Sequence, residues 1–184
     1  IVDGKITQIY YDDADVLGAH ITGDVFGGGE MADVTGNTTV NIGAKNDAVV
    51  AEGTEKVTIG GNVFGGGKGK ADSFTCAKAM VGVVDDGLDG EGNLKAGGTK
   101  VVIGNGTISG NVYGGGEVGR VERNTAVTVG IGAADTGSAP VVTGSVFGGG
   151  KGVKTHGYSA LVRGNSTVTI EGNAKVKTDV YGGG

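Results

Sequence analysis

The sequence contains no tryptophan, a single proline (Pro140) and a single cysteine (Cys76). One cysteine excludes an internal disulfide. It does not distinguish compartments, because cysteine poverty suits an extracellular bacterial repeat protein as well as a cytosolic one. One proline among 42 glycines, with no glycine at every third position, excludes a collagen-like triple helix. Aromatic residues make up 5% of the chain, too few for a large aromatic core. No apolar run reaches the ~18 residues of a membrane-spanning helix, so no membrane insertion is expected. The opening stretch "IVDGKITQIYYDDAD" has neither the basic start nor the apolar core of a secretion signal. Basic excess is also missing: 15 Lys and Arg face 20 Asp and Glu, a net charge of −5, which argues against a nucleic-acid partner.

What is abundant is glycine and β-branched residues. The 42 glycines in 184 residues far exceed the usual ~7%. Fifteen of them fall in five copies of one motif, Val-[Phe/Tyr]-Gly-Gly-Gly, at residues 25–29, 63–67, 112–116, 146–150 and 180–184. The aromatics, Phe26, Phe64, Tyr113, Phe147 and Tyr181, are separated by 38, 49, 34 and 34 residues. A period of that size marks a supersecondary unit that stacks on its own copies.

The repeat extends upstream. Four residues before each motif valine stands Ile21, Ile59, Ile108, Val142 or Val176. Immediately before it stands a turn former, Asp24, Asn62, Asn111, Ser145 or Asp179, preceded by Gly23, Gly61, Gly110 and Gly144, with Thr178 as the exception. Glycine followed by Asn or Asp admits positive φ and reads as a corner between short extended segments. A second signature, V-x-[IV], recurs in "NTTVNIG", "EKVTIGG", "TKVVIGN", "NTAVTVG" and "NSTVTIEG". Its period of two describes half-buried strands with Val40 and Ile42, Val57 and Ile59, Val101 and Ile103, Val127 and Val129, and Val168 and Ile170 inward, and mostly Thr and Asn outward.

Short strands, glycine corners and a fixed period predict an all-β chain, a β-solenoid of about five imperfect repeats whose coils stack about 4.8 Å apart through parallel ladders. A β-sandwich is the alternative; it calls for recurring Asn-Gly or Asp-Gly hairpin turns, and "NGT" at 105–107 is a lone candidate. The chain is expected to be one repeat domain over 1–184, with a non-repeat strand or cap over 1–20 and an insertion over 71–97. Within the insertion, Phe74, Ala77, Val81 and Val84 have helical spacing behind Asp72 or Ser73, predicting a short helix.

Glycine in a strand costs roughly 0.5–1 kcal/mol relative to alanine, so three in a row need a reason. Either positive φ makes a sharp bend, or a backbone approaches too closely for a Cβ: an opposite wall, a neighbouring copy or a ligand. Stacking would align the five aromatics, the first glycines Gly27, Gly65, Gly114, Gly148 and Gly182, and a column of Glu30, Lys68, Glu117 and Lys151 that alternates in sign. These residues are the expected assembly surface.

Motifs for chemistry are missing. "GGGKGK" and "GGGKGV" lack the spacing and the Ser or Thr of a phosphate-binding P-loop. Calcium-binding β-rolls need an aspartate that these glycine motifs do not carry. In "DDGLDGEGN" Lys100 stands where an EF-hand requires its bidentate Glu. His20 and His156 occupy different repeat contexts, and Cys76 reads as a small core residue. Neither an enzyme nor a cofactor or metal site is expected.

The combined pattern G-N-[ST]-x-V-x-[IV]-x-G followed by G-[ND]-V-[FY]-G-G-G-[EK]-x-G resembles the glycine-rich repeats of large surface-exposed or secreted bacterial proteins, especially of gut Bacteroidetes type. The resemblance covers nearly the whole chain apart from 1–15 and 71–97. It implies a β-solenoid rod, extracellular or on the cell surface, with a scaffolding or adhesive role. The chain starts at Ile1 without methionine and stops on a full motif, so a processed protein or a window of a longer array is expected. The expected partner is a further copy of itself, joined end to end or through a donated strand such as "GKITQIYY" (4–11). Glycans, held by the Thr and Asn face or by the glycine groove, are the alternative partner.

Overall fold

A computed structural model describes residues 18–45, 49–50, 57–71, 78–82, 97–131 and 139–184. The chain is an all-β solenoid in which one repeat makes one coil. Coil one contains β1 (His20–Ile21), β2 (Val25–Phe26) and β3 (Thr38–Ile42); it is followed by a small antiparallel pair, β4 (Ala44–Lys45) and β5 (Val49–Val50). Coil two contains β6 (Thr58–Ile59), β7 (Val63–Phe64) and β8 (Thr99–Ile103). Coil three contains β9 (Thr107–Ile108), β10 (Val112–Tyr113) and β11 (Thr125–Val129). Coil four contains β12 (Val141–Val142), β13 (Val146–Phe147) and β14 (Ser166–Ile170), and β15 (Lys175–Val176) and β16 (Val180–Tyr181) begin coil five.

Three parallel faces run along the axis. Face I is β1-β6-β9-β12-β15, face II is β2-β7-β10-β13-β16, and face III is β3-β8-β11-β14. Every rung is in register, with Val25 beside Val63, Val63 beside Val112, and so on to Val180. Between faces II and III a fourth column of single parallel bridges joins Val34, Val81, Val121 and Val162. No antiparallel pairing joins the faces among the described residues, so the sandwich alternative does not describe this chain.

The faces follow from the residue pattern. On face III the alternation places Val40, Ile42, Val101, Ile103, Val127 and Val129 inside, against Ile59, Ile108 and Val142 of face I and Val63, Val112 and Val146 of face II. Burying each such side chain fully contributes roughly 1.5–3 kcal/mol relative to exposure. Face III strands run five residues, whereas those of faces I and II run two before a corner. Positive φ at Gly43 and Gly130, 59° and 88°, turns the chain off the ends of β3 and β11.

Two expectations are corrected. "EKVTIGG" carries the V-x-[IV] signature but belongs to face I as β6, not with the four strands of face III. Its Ile59 is the residue four before a motif valine, and that spacing decides the face. The helix expected over 72–84 falls mostly outside the described residues, but Val81 sits in the valine bridge column and the neighbouring Ala79 has φ of 58°. Val81 therefore belongs to the coil.

Candidate functional site: the coil-to-coil contact

The glycine triplet follows from how closely successive coils approach. None of the fifteen motif glycines has positive φ, so the sharp-bend reading is corrected in favour of close backbone contact. A Cβ on Gly27, Gly65, Gly114 or Gly148 would collide with the carbonyl oxygen of the first glycine one coil further on: Gly65, Gly114, Gly148 and Gly182 respectively. A Cβ on the second glycine, Gly28, Gly66, Gly115 or Gly149, would come 2.7, 2.7, 2.8 or 2.6 Å from the backbone nitrogen of the next coil's third glycine. The third glycine faces its own coil's return path: a Cβ on Gly29 would meet Ala32 O at 2.5 Å, and one on Gly150 the Ala160 Cβ at 2.6 Å.

The first-glycine carbonyl points inward, where water cannot reach it. Thr38 donates its hydroxyl to Gly65 O at 2.6 Å, Thr99 donates to Gly114 O, and Thr125 to Gly148 O at 2.5 Å. All three threonines are buried. They open the face III strands, so one hydroxyl per coil satisfies one buried carbonyl of the next.

The corner before each motif valine forms a second axial ladder. Asp24 Oδ1 accepts the Asn62 N–H at 2.6 Å, Asn62 Oδ1 that of Asn111 at 2.9 Å, Asn111 Oδ1 that of Ser145 at 2.8 Å, and Ser145 Oγ that of Asp179 at 3.3 Å. The glycine beside each corner makes room for the side chain below. A Cβ on Gly61 would strike Asp24 Oδ1, one on Gly110 would meet Asn62 Oδ1 at 2.8 Å, and one on Gly144 would strike Asn111 Oδ1. Thr178 breaks the glycine pattern because the shorter Ser145 lies below it; the two hydroxyls meet at 2.8 Å.

The aromatics form one unbroken stack, Phe26–Phe64–Tyr113–Phe147–Tyr181, with centroids 4.8–4.9 Å apart and planes within 8°. In the charge column Lys68 reaches Glu30 and Lys151 reaches Glu117, each at 2.9 Å. The hydrogen bond with Glu30, and then the Glu30 charge, raise the Lys68 pKa; the same hydrogen bond and the Lys68 charge lower that of Glu30; the hydrogen bond to Glu117 raises that of Lys151. After the glutamates the bridge valine is the fourth residue on, Val34 and Val121; after the lysines it is the thirteenth and the eleventh, Val81 and Val162. Between coils three and four, Glu122 bridges Arg163 at 3.1 Å and lies 3.6 Å from Arg120.

Sequence reasoning does not find the bridge column. Its signal, [AG]-x-V in "ADV", "AMV", "GRV" and "ALV", is weak because a single residue pairs per coil and the distance from the glycines varies.

Val180 and Tyr181 are 48% and 47% exposed, while Val63, Phe64 and Val112 inside the stack are fully buried. Among the described residues no three His, Cys, Asp or Glu side chains converge on a metal-sized site. The chain matches no family model, no curated protein and no solved structure.

Proposed function

We propose that this chain is a non-enzymatic structural protein, a subunit or segment of an extracellular filament or cell-surface stalk assembled through stacked β-coils. The observation that carries the reading is the unbroken axial register. Backbone ladders, aromatic stack, threonine hydroxyls and corner side chains all run along one axis from coil to coil. A parallel in-register stack of this kind extends by adding further coils with the same pairing. The likeness of the repeat to those of bacterial surface proteins supports a place outside the cell.

Electron microscopy of the purified chain over a range of concentrations tests this. Filaments or lengthening rods with an axial repeat near 4.8 Å are the expected result. Monodisperse particles the length of one chain at every concentration would overturn it.

A glycan-binding adhesin is the second reading. A groove of about 390 Å3 crosses coils one to three, lined by Asn37, Thr39, Lys100, Arg123 and Asn124. These present amide, hydroxyl and cationic groups to a saccharide. On this reading the monomer binds in a glycan array and Asn124→Ala weakens binding.

A further inference from the structure

We propose that the groove across coils one to three takes an acidic polysaccharide, with Lys100 and Arg123 holding its carboxylates and Asn37, Thr39 and Asn124 its hydroxyls. The inference rests on the second reading above, the glycan-binding one, and names the class of saccharide.

Charge carries it. The chain as a whole is acidic, with a net charge of −5. The groove reverses that balance: Lys100 and Arg123 line it, and no Asp or Glu does among the described residues. The three arginines of the chain, Arg120, Arg123 and Arg163, stand together on coils three and four, within two residues of the bridge valines Val121 and Val162. Glu122 stands between them, but its carboxylate is bridged by Arg163 at 3.1 Å, lies 3.6 Å from Arg120 and is 15% exposed. It does not line the groove.

The ladders place the two cations. Lys100 is an outward residue of β8, beside Thr39 on β3 and Ala126 on β11. Arg123 precedes β11 and donates from Nη1 to the Glu122 carbonyl at 2.8 Å. They belong to adjacent coils, whose backbones lie about 4.8 Å apart along the axis. A guanidinium takes a carboxylate through two parallel N–H bonds, and an ammonium takes one as a point charge.

The neutral lining suits sugar hydroxyls. Asn37 Oδ1 accepts the Gly98 N–H at 2.9 Å, and Asn124 Oδ1 accepts the Asn165 N–H at 2.8 Å. Each amide is held by its oxygen, which leaves its N–H donors for a hydroxyl. No aromatic side chain lines the groove among the described residues, so a neutral sugar ring or a nucleic-acid base finds no face to stack on. Charge and hydrogen bonds are what the groove offers, and an acidic saccharide uses both.

Fluorescence anisotropy of labelled oligogalacturonate with the 184-residue chain tests the proposal, with thermal melts to follow folding. The control ligand is the same oligosaccharide with its carboxyls reduced to alcohols. Wild type is expected to bind the acid form roughly tenfold or more tightly than the reduced form at low salt, and to lose that preference at high salt. Lys100→Gln and Arg123→Gln should each weaken binding of the acid form roughly tenfold. Lys154→Gln, outside the groove, removes the same charge and should bind as wild type does. Equal weakening in all three variants would overturn the groove as the site. Equal binding of the acid and reduced forms would overturn the acidic ligand while leaving the glycan reading intact. A single-stranded oligonucleotide of the same charge that binds as tightly would overturn the saccharide. Binding that appears only after Asp85, Asp86, Asp89 and Glu91 are changed to their amides would give the groove to that stretch of the chain and overturn the proposal. A chain that binds neither these ligands nor any member of a glycan array would overturn both this inference and the glycan reading.

Discussion

The hydroxyl of Thr38 lies 2.6 Å from the carbonyl oxygen of Gly65, one coil further along the axis. Among the described residues no backbone N–H reaches that oxygen. The glycine triplet lets two coils approach until the carbonyl is sealed inside, and the threonine makes that burial tolerable. Glycine and threonine lie far apart in sequence and form one structural device, repeated at Thr99–Gly114 and Thr125–Gly148.

Thr125→Val retains the shape of the side chain but leaves Gly148 O unsatisfied in the core. A loss of about 1–3 kcal/mol is expected, the cost of an unpaired buried carbonyl. Thr125→Ser keeps the donor and should recover most of it. Urea denaturation of the three proteins checks this, and equal losses in Val and Ser variants would show that packing, not the hydrogen bond, matters.

Gly115→Ala and Gly36→Ala separate the two possible meanings of a glycine. At Gly115 a Cβ would sit 2.8 Å from the Gly150 nitrogen and 2.9 Å from its Cα, both backbone atoms that cannot turn aside. A loss of about 3 kcal/mol is expected from forced separation of two coils. At Gly36 a Cβ meets no described atom within 4 Å and φ is not positive, so alanine should stabilise by about 0.4–1 kcal/mol through the unfolded chain. Melting temperatures that fall equally in both would contradict the steric account.

The corner ladder allows a test of like-charge repulsion between adjacent coils. Asn62→Asp places two carboxylates on adjacent rungs, at 24 and 62, and removes the Asn62 Nδ2 hydrogen bond to Asp24 at 3.0 Å. A loss of about 1 kcal/mol is expected at low salt. The repulsive part should return at 1 M salt, where the screening length is about 3 Å. A salt-independent loss would assign the effect to the missing hydrogen bond.

Much of this is legible in the sequence because a repeat reports each position several times. Five valine-aromatic-glycine motifs set the coil count, and the residue four before each valine marks face I. The alternating Glu30, Lys68, Glu117 and Lys151 column is readable from the residues alone, since it follows the glycines at constant spacing. Three features are not. The bridge valines pair singly and lie at variable distance, so no period reveals them. "EKVTIGG" groups by composition with the face III strands, although its distance to Val63 places it on face I. The buried role of Thr38, Thr99 and Thr125 depends on which carbonyls turn inward, and residue type alone does not say. Positive φ is a natural reading of the motif glycines; the decisive fact, how closely two coils approach, is a property of the stack.

The charge column predicts a pH profile with two wings. Lys68 and Lys151 have raised pKa values, so their contribution is complete below the ordinary lysine value of 10.5 and disappears as pH rises through the higher folded values. Glu30 has a lowered pKa, so its contribution is present above the ordinary carboxylate value of 4.5 and disappears as pH falls through the lower folded value. Between those limits the pairs add a constant increment, kept small by exposure: Glu30 and Lys68 are 74% and 46% exposed. Glu30→Gln and Lys151→Met should therefore melt slightly below wild type near neutrality. The Glu30→Gln difference should close on the acid side and again on the strongly alkaline side, where Lys68 loses its charge. The Lys151→Met difference should close on the alkaline side, and both should shrink at high salt. A difference that persists unchanged across the whole range would mean that these side chains act through packing along the stack, and the alternation of sign would then carry no energetic meaning.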